Sequence, residues 1–471
     1  ILTTSSANKT NLIKNTRSRS ISLSFRDVTA PQSSGTGALI ERTIFQNAGR
    51  ICVTGVNKSL TNHYVLNIRN IEFFGRKTDD ETKFGATYGN QMIYADSVHD
   101  VNLTNVNYHD NDKAGDCISY PNGPVNLDSN VQISFAFLYC GKVSMTNCKM
   151  RDVNTLSYWM IHFYRIECVI MTDCDIANFN TKYEDSKFVS YVIYGAIGDF
   201  IVNNCTIDNV RAVYPMYVLS QRVKKYSGSL NQSLDGTIKI DGLTLTNCWS
   251  RGSTINLNVI GGKSVDISNL TIGSMSADAG IGNGGNYTEN GSMLAIEGSI
   301  GSRAFEEKLS NIKIGGNSVR NGNILSLGRS SDRTINSTVQ DIEISNNTLT
   351  RTGAGAAGYS FMFLNSADVA NIQNVTIDNN DYAFSYGFSI TGVNKLNLID
   401  CKFSNNRRIE SYAYGGKAFY VTNVTTANIT NFVADNNDIV DYCAVTSSIT
   451  NLNLNYLVIS NNFLVFENSY S

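Results

Sequence analysis

The chain reads as an all-β solenoid, on three observations. A short phrase recurs along it, asparagine stands at one fixed offset from that phrase, and a strand closing on a Gly or Asn turn comes before it. The phrase is an aliphatic residue, a spacer, Asn or Asp, an apolar residue, a spacer and a second apolar residue. It reads Ile68-Arg69-Asn70-Ile71-Glu72-Phe73 near the start and Leu398-Ile399-Asp400-Cys401-Lys402-Phe403 near the end. Aligned on the apolar residue after the Asn, the copies fall at Ile71, Val106, Cys148, Cys174, Cys205, Leu243, Leu270, Ile312, Ile342, Val375, Cys401, Phe432 and Leu457. A repeat whose spacing stretches to as many as 42 residues while its phrase stays intact predicts stacked coils with loops of variable length at fixed corners. The period of two inside each copy predicts a strand.

Four residues after the aligned slot stand Asp110, Asp152, Asn178, Asn209, Asn247, Asn346, Asn379, Asn405, Asn436 and Asn461, with Gly316 and Ser274 filling the same offset elsewhere. Asn and Asp tolerate the left-handed backbone of a sharp corner, and an Asn amide can bond its equivalent in the next coil, so a ladder is expected. Upstream of the phrase, Ile51-Cys52-Val53-Thr54-Gly55 and Phe388-Ser389-Ile390-Thr391-Gly392 predict the strand and tight turn that feed each coil.

Together the columns resemble the right-handed, single-stranded parallel β-helix of the pectate-lyase-like superfamily. That resemblance implies a solenoid of about thirteen coils over residues 40–471. Residues 1–39, with Lys9, Lys14, Arg17 and Arg19, read as an N-terminal tether or cap, and the chain reads as part of a longer protein. A net charge of −2 and 17% charged residues argue against nucleic acid, and no apolar run is long enough to span a membrane as a helix.

Ten cysteines include Cys148, Cys174, Cys205 and Cys401 in the aligned slot, where Ile, Leu and Val stand in other copies. They are expected to be reduced core residues, because no spacing suits a zinc cage; no cofactor is expected. Reduced thiols imply folding in a reducing cytoplasm.

On the upstream strand the phase is read with Met92, Phe135, Met160, Val192, Met216, Phe361, Phe388 and Phe419 inward. Ile93, Ala136, Leu138, Ile161, Phe163, Ile193, Leu219, Leu325, Leu327, Met362 and Leu364 then form an apolar outer face, which predicts a protein interface. Side-by-side packing of three copies resembles the bacteriophage tailspikes. That resemblance implies a homotrimeric virion component, attached through an upstream segment, that binds a bacterial surface polysaccharide and depolymerises it with a carboxylate pair. A non-catalytic fibre and a secreted polysaccharide lyase are the alternatives.

The candidate catalytic carboxylates are Asp112 and Asp116, in the loop that follows His109 and Asp110, and Glu297, on a strand with Asn256 and Asn258 one coil below and Arg329 one coil above. Asp278, in a neighbouring insertion, is the candidate partner of Glu297. Tyr158, Trp159 and Tyr191 fall at similar positions on neighbouring coils and are expected to line a sugar-stacking track, with Tyr120 and Arg329 as further substrate contacts. Tyr214, Tyr287, Tyr382 and Tyr386 are expected on exposed loops, and His162 in an inward column.

Overall fold

A computed structural model of the protein describes residues 11–19, 22–28, 37–46, 50–55, 63–75, 92–110, 133–155, 159–181, 191–221, 223–224, 233–234, 236–260, 263–276, 280–281, 283–298, 305–328, 335–352, 359–383, 385–409, 417–439 and 444–464. Among these residues there is no helix, and so none long and apolar enough to cross a membrane. Nearly every strand pairs in parallel with the equivalent strand of the neighbouring repeat, as Val65–Phe74 does with Asp100–His109 and Phe305–Gly315 with Ile335–Ser345. Each repeat therefore winds back to the point where the previous one began, a ring-like course consistent with a β-helix. The chain forms two compact units, Ile1–Gly236 and Thr237–Ser471.

In the first unit one inward column runs Ala38, Leu66, Val101, Val143, Val169 and Phe200. A second runs Ile51, Ile93, Phe135, Ile161, Ile193 and Met216. All twelve side chains are buried. Alternation along Val65–Phe74 breaks once, at the exposed pair Arg69 and Asn70, and then resumes. Asn70 has φ +53°, and its equivalents Asn105, Asn147 and Asp173 have +53°, +51° and +53°. The phrase is therefore two strand segments joined by a left-handed corner at its own Asn, a tighter construction than the single strand its alternation predicts. The expected corner four residues after the slot is present as well: φ lies between +49° (Asn209) and +56° (Asn178 and Asn346) at all ten of its Asn and Asp positions. Both corners carry exposed ladders, such as Asn105 Nδ2 to Asn70 Oδ1 at 2.8 Å and Asn209 Nδ2 to Asn178 Oδ1 at 2.8 Å.

The second unit contains a deeper ladder one residue further on. Asn286, Asn317, Asn347, Asn380, Asn406, Asn437 and Asn462 bond in series. Each Oδ1 accepts both the backbone N–H and the Nδ2 of the rung before it, as Asn347 Oδ1 does from Asn317 N and Nδ2, both at 3.0 Å. Nδ2 also donates to a backbone carbonyl, in the case of Asn347 that of Ile314 at 2.9 Å. Buried amides that satisfy one another in this way lock the register of successive repeats. Truncating one leaves its neighbour's donors unpaired, at a cost of about 1–3 kcal/mol.

The structure corrects the phase of the upstream strand. Ile93, Ile161, Phe163, Ile193, Leu325, Leu327, Met362 and Leu364, read from sequence as an outer apolar face, are buried within the chain; Ala136 and Leu138 do stand in the outward columns of Tyr94 and Tyr164, although little of either is exposed. Met362 pairs with Phe388, and Phe388 with Phe419, so residues assigned to opposite faces share one inward column. The reason is local. Met160-Ile161 and Phe361-Met362 are apolar at both positions and 0% exposed at all four, so alternation offers no choice of phase, and a slip of one residue exchanges the faces. Most of the face expected to pack between subunits is thus core.

Two core features generate predictions. Glu307 follows Val265 and precedes Ser337 in an inward column and is 0% exposed. Its Oε2 accepts the Ser337 hydroxyl at 2.8 Å, while its Oε1 has no partner. Burial pushes the carboxyl up to about 7, from an ordinary 4.5. The folded chain then holds a proton between those values that the unfolded chain has released. The stabilisation is complete below about pH 4.5 and is lost as the pH rises through about 7, which amounts to about 3 kcal/mol. In thermal unfolding, Glu307→Gln should match the wild type near pH 4.5 and exceed it by several degrees at pH 7.5; a constant difference contradicts this.

The slot cysteines Cys148, Cys174, Cys205 and Cys401 are buried and free, as expected. Burial pushes Cys401 and Cys140 up to about 12. Cys174 and Cys205 are 3% and 4% exposed, so thiol reagents should not reach them in native protein and should react only on unfolding. Rapid native labelling, read by mass spectrometry, would show that they do not face the core.

Candidate functional site

In the first unit an aromatic residue, two apolar residues and a second aromatic recur on adjacent strands: Trp159-Met160-Ile161-His162, Tyr191-Val192-Ile193-Tyr194 and, with Pro215, Tyr214-Pro215-Met216-Tyr217. Parallel pairing aligns Trp159 with Tyr191 and Tyr214, and His162 with Tyr194 and Tyr217. Flat rings in register stack. Tyr191 and Tyr214 lie 5.5 Å apart at 13°, and Tyr194 and Tyr217 5.8 Å apart at 11°. Tyr191 and Tyr194, only 4.7 Å apart, join the two columns. The contacts continue from Tyr194 to His162 at 5.4 Å, on to Tyr164 at 6.0 Å, and edge-on to Tyr139 at 5.4 Å.

The tyrosines of this track are half-buried, which leaves ring surface for a ligand. Burial, followed by the neighbouring Tyr217 and Tyr164, pushes Tyr194 up to about 12, and burial also raises Tyr191. His162 is 2% exposed, and burial holds it down to about 3. The rings are thus uncharged through the neutral range, an apolar platform edged with hydroxyls. His162 shares its column with partly exposed Tyr94, Tyr194 and Tyr217, not with the inward residues expected from sequence.

Charge gathers where the track ends. The Arg165 guanidinium carbon lies 5.3 Å from the centre of the Tyr164 ring and 5.8 Å from that of Tyr139. Asp96 accepts hydrogen bonds from Tyr94 Oη at 3.2 Å and Ser97 Oγ at 2.8 Å.

Trp159 pairs with Tyr191 on the adjacent strand. Tyr158, Tyr120, Asp112, Asp116, Asp278 and Arg329 lie outside the described residues. Glu297 is half-buried opposite Asn258, while Asn256 pairs with Ala295. Tyr382, expected on a loop, is 1% exposed and packs edge-on against Phe361. Sequence reasoning missed Tyr139, Tyr164, Tyr194 and Tyr217, although the paired aromatic spacing at 191/194 and 214/217 marks two of them.

A second cluster begins at the acidic loop's first residues. His109 Nε2 lies 2.9 Å from Glu72 Oε1 and Nδ1 2.7 Å from Asp110 Oδ2, while the ring stacks on Phe74 at 5.6 Å. Burial opposes protonation, but hydrogen bonds to Glu72 and Asp110 outweigh it, so the imidazole titrates above 6.5. This arrangement stores a proton between two carboxylates. Among the described residues no group of three His, Cys, Asp or Glu side chains is placed to hold a metal ion.

With four histidines in the chain, the His109 ring resonances can be assigned by substitution. Their midpoint should lie above that of an unperturbed histidine and fall in Glu72→Gln. An unchanged midpoint would remove Glu72 from the cluster.

No protein-family model matches the sequence and no curated protein matches it, so residues and geometry alone carry the functional reading.

Proposed function

We propose that the protein is a right-handed parallel β-helix that recognises a polysaccharide through its tyrosine-lined strand face, in the manner of a bacteriophage tailspike whose target is a bacterial surface glycan. The observation that carries this reading is the unbroken run of ring contacts from Tyr214 to Tyr139. Sugar rings present C–H faces that pack on aromatic rings, and a polymer needs a row of such faces. Rings fixed to adjacent strands of a rigid sheet supply the row without the ordering cost of loops. Stacked parallel strands lie about 4.8 Å apart, so the track presents closely spaced contacts along the stack.

The tailspike assignment rests on the architecture that the repeat resembles. Most of the columns assigned to subunit contact are internal, so trimeric assembly is not proposed. Cleavage of the bound glycan is a separate reading. It is favoured by Glu297, a carboxylate held half-buried on a strand opposite an amide side chain.

Both readings are tested on a panel of bacterial capsular and O-antigen polysaccharides. Removing two stacking rings by Tyr191→Ala with Tyr214→Ala should weaken binding by about 2 kcal/mol, roughly thirtyfold. Unchanged affinity for a bound glycan would rule out the track. Where fragments appear, Glu297→Gln should cut their release about a hundredfold or more while sparing affinity, as loss of an acid or base requires. Undiminished turnover would exclude Glu297.

A further inference from the structure

We infer that the glycan taken by this track is acidic, and that Arg165 is the residue that reads its carboxylate, sulfate or phosphate groups; the inference rests on the track being a glycan site. Three observations converge on Arg165. The first is backbone. The pairing of Trp159–Thr172 with Tyr191–Ala212 slips here: Tyr164 pairs with Ala196 and Ile166 with Ile197, which leaves Arg165 as an unpaired bulge residue. Its φ is +55°, continuing the left-handed corner that Ser97 and Tyr139 form after the equivalent strands, with φ +57° and +51°. A bulge of this kind re-aims a side chain out of the ladder.

The second observation is where the side chain goes. Arg165 is exposed, yet its guanidinium lies over the Tyr164 and Tyr139 rings, which form one end of the aromatic track. The guanidinium thus sits against the two rings while the residue remains open to solvent, so its N–H groups can meet a ligand. They form a planar fork matching the two oxygens of a carboxylate, or those of a sulfate or phosphate. Third, among the described residues no carboxylate forms an ion pair with it. Asp96, in the same column as Tyr164 two strands away, accepts from Tyr94 and Ser97. A cation oriented by stacking and left without an internal anion suits an external one.

The second unit repeats the device. Lys417 Nζ lies 5.1 Å from the Tyr386 ring centre and 5.4 Å from that of Tyr420, and these two rings stack 5.2 Å apart at 17°. A tyrosine pair bearing a cation thus occurs in each unit.

The test is affinity electrophoresis of the whole chain in gels containing polygalacturonate, sulfated dextran or the phosphate-bearing teichoic acids, with unmodified dextran and laminarin as neutral probes. The wild type should be retarded by at least one acidic polymer, less so as salt is raised. Arg165→Ala should weaken that retardation about tenfold or more, Arg165→Lys should restore part of it, and Tyr191→Ala should weaken it too. Because Arg165 is exposed, its variants should melt as the wild type does, so lost binding is not lost fold. Retardation that depends on Tyr191 but not on Arg165, or that is equal on neutral and acidic polymers, overturns the acidic specificity and leaves the glycan site standing. Retardation by none of the polymers, or retardation that none of the three substitutions alters, overturns both.

Discussion

Every feature of this protein follows from in-register parallel stacking of one repeat on the next. A parallel pair cannot be closed by a tight hairpin, so the chain must circle back before it pairs again, and it must bend sharply at the same places in each repeat. Here the bends are single residues with φ near +50°, most of them Asn or Asp. Once the bends align, each side chain lies above its counterpart, and the chemistry at any position is decided by its column. Asparagine serves twice, as the residue that tolerates the bend and as the amide that bonds the rung above. The buried series from Asn286 to Asn462 applies the second property inside the core, where an unpaired amide would be costly.

The same constraint explains why unusual residues are buried. A core only a few side chains wide has no room to turn one outward, so whatever occupies an inward slot is enclosed. Cysteine fits as a small apolar residue. Glu307 fits only with its proton retained, bonded to Ser337 in the next rung. It places a pH dependence in the scaffold itself.

Function, on this reading, uses the outward columns that stacking leaves free. Tyrosines in one column become a row of parallel rings without further ordering, and the bulge at Arg165 turns a cation onto the end of that row. The rigidity that unites the repeats thus also pre-organises the contacts proposed for a polymer. Loops of variable length at the corners can diverge without disturbing either.

Much of this was legible in the sequence. The recurring phrase marks the repeats, since strand pairing keeps its apolar slots in register, and the Asn offset marks the corners, since few residues accept their backbone. The slot cysteines read correctly as core for the same reason. Tertiary structure decided the rest. Phase along the upstream strand is invisible where Met160-Ile161 and Phe361-Met362 are apolar at both positions, because alternation requires a polar partner. Glu307 lies among Glu306 and Lys308 and looks like a surface residue until its pairing with Val265 and Ser337 places it in the core. Tyr194, Tyr217 and Arg165 become neighbours of the track only when strands far apart in the chain are laid side by side. Sequence records which residues repeat; which face they line, and whom they meet across the stack, depends on a register that only the folded chain fixes.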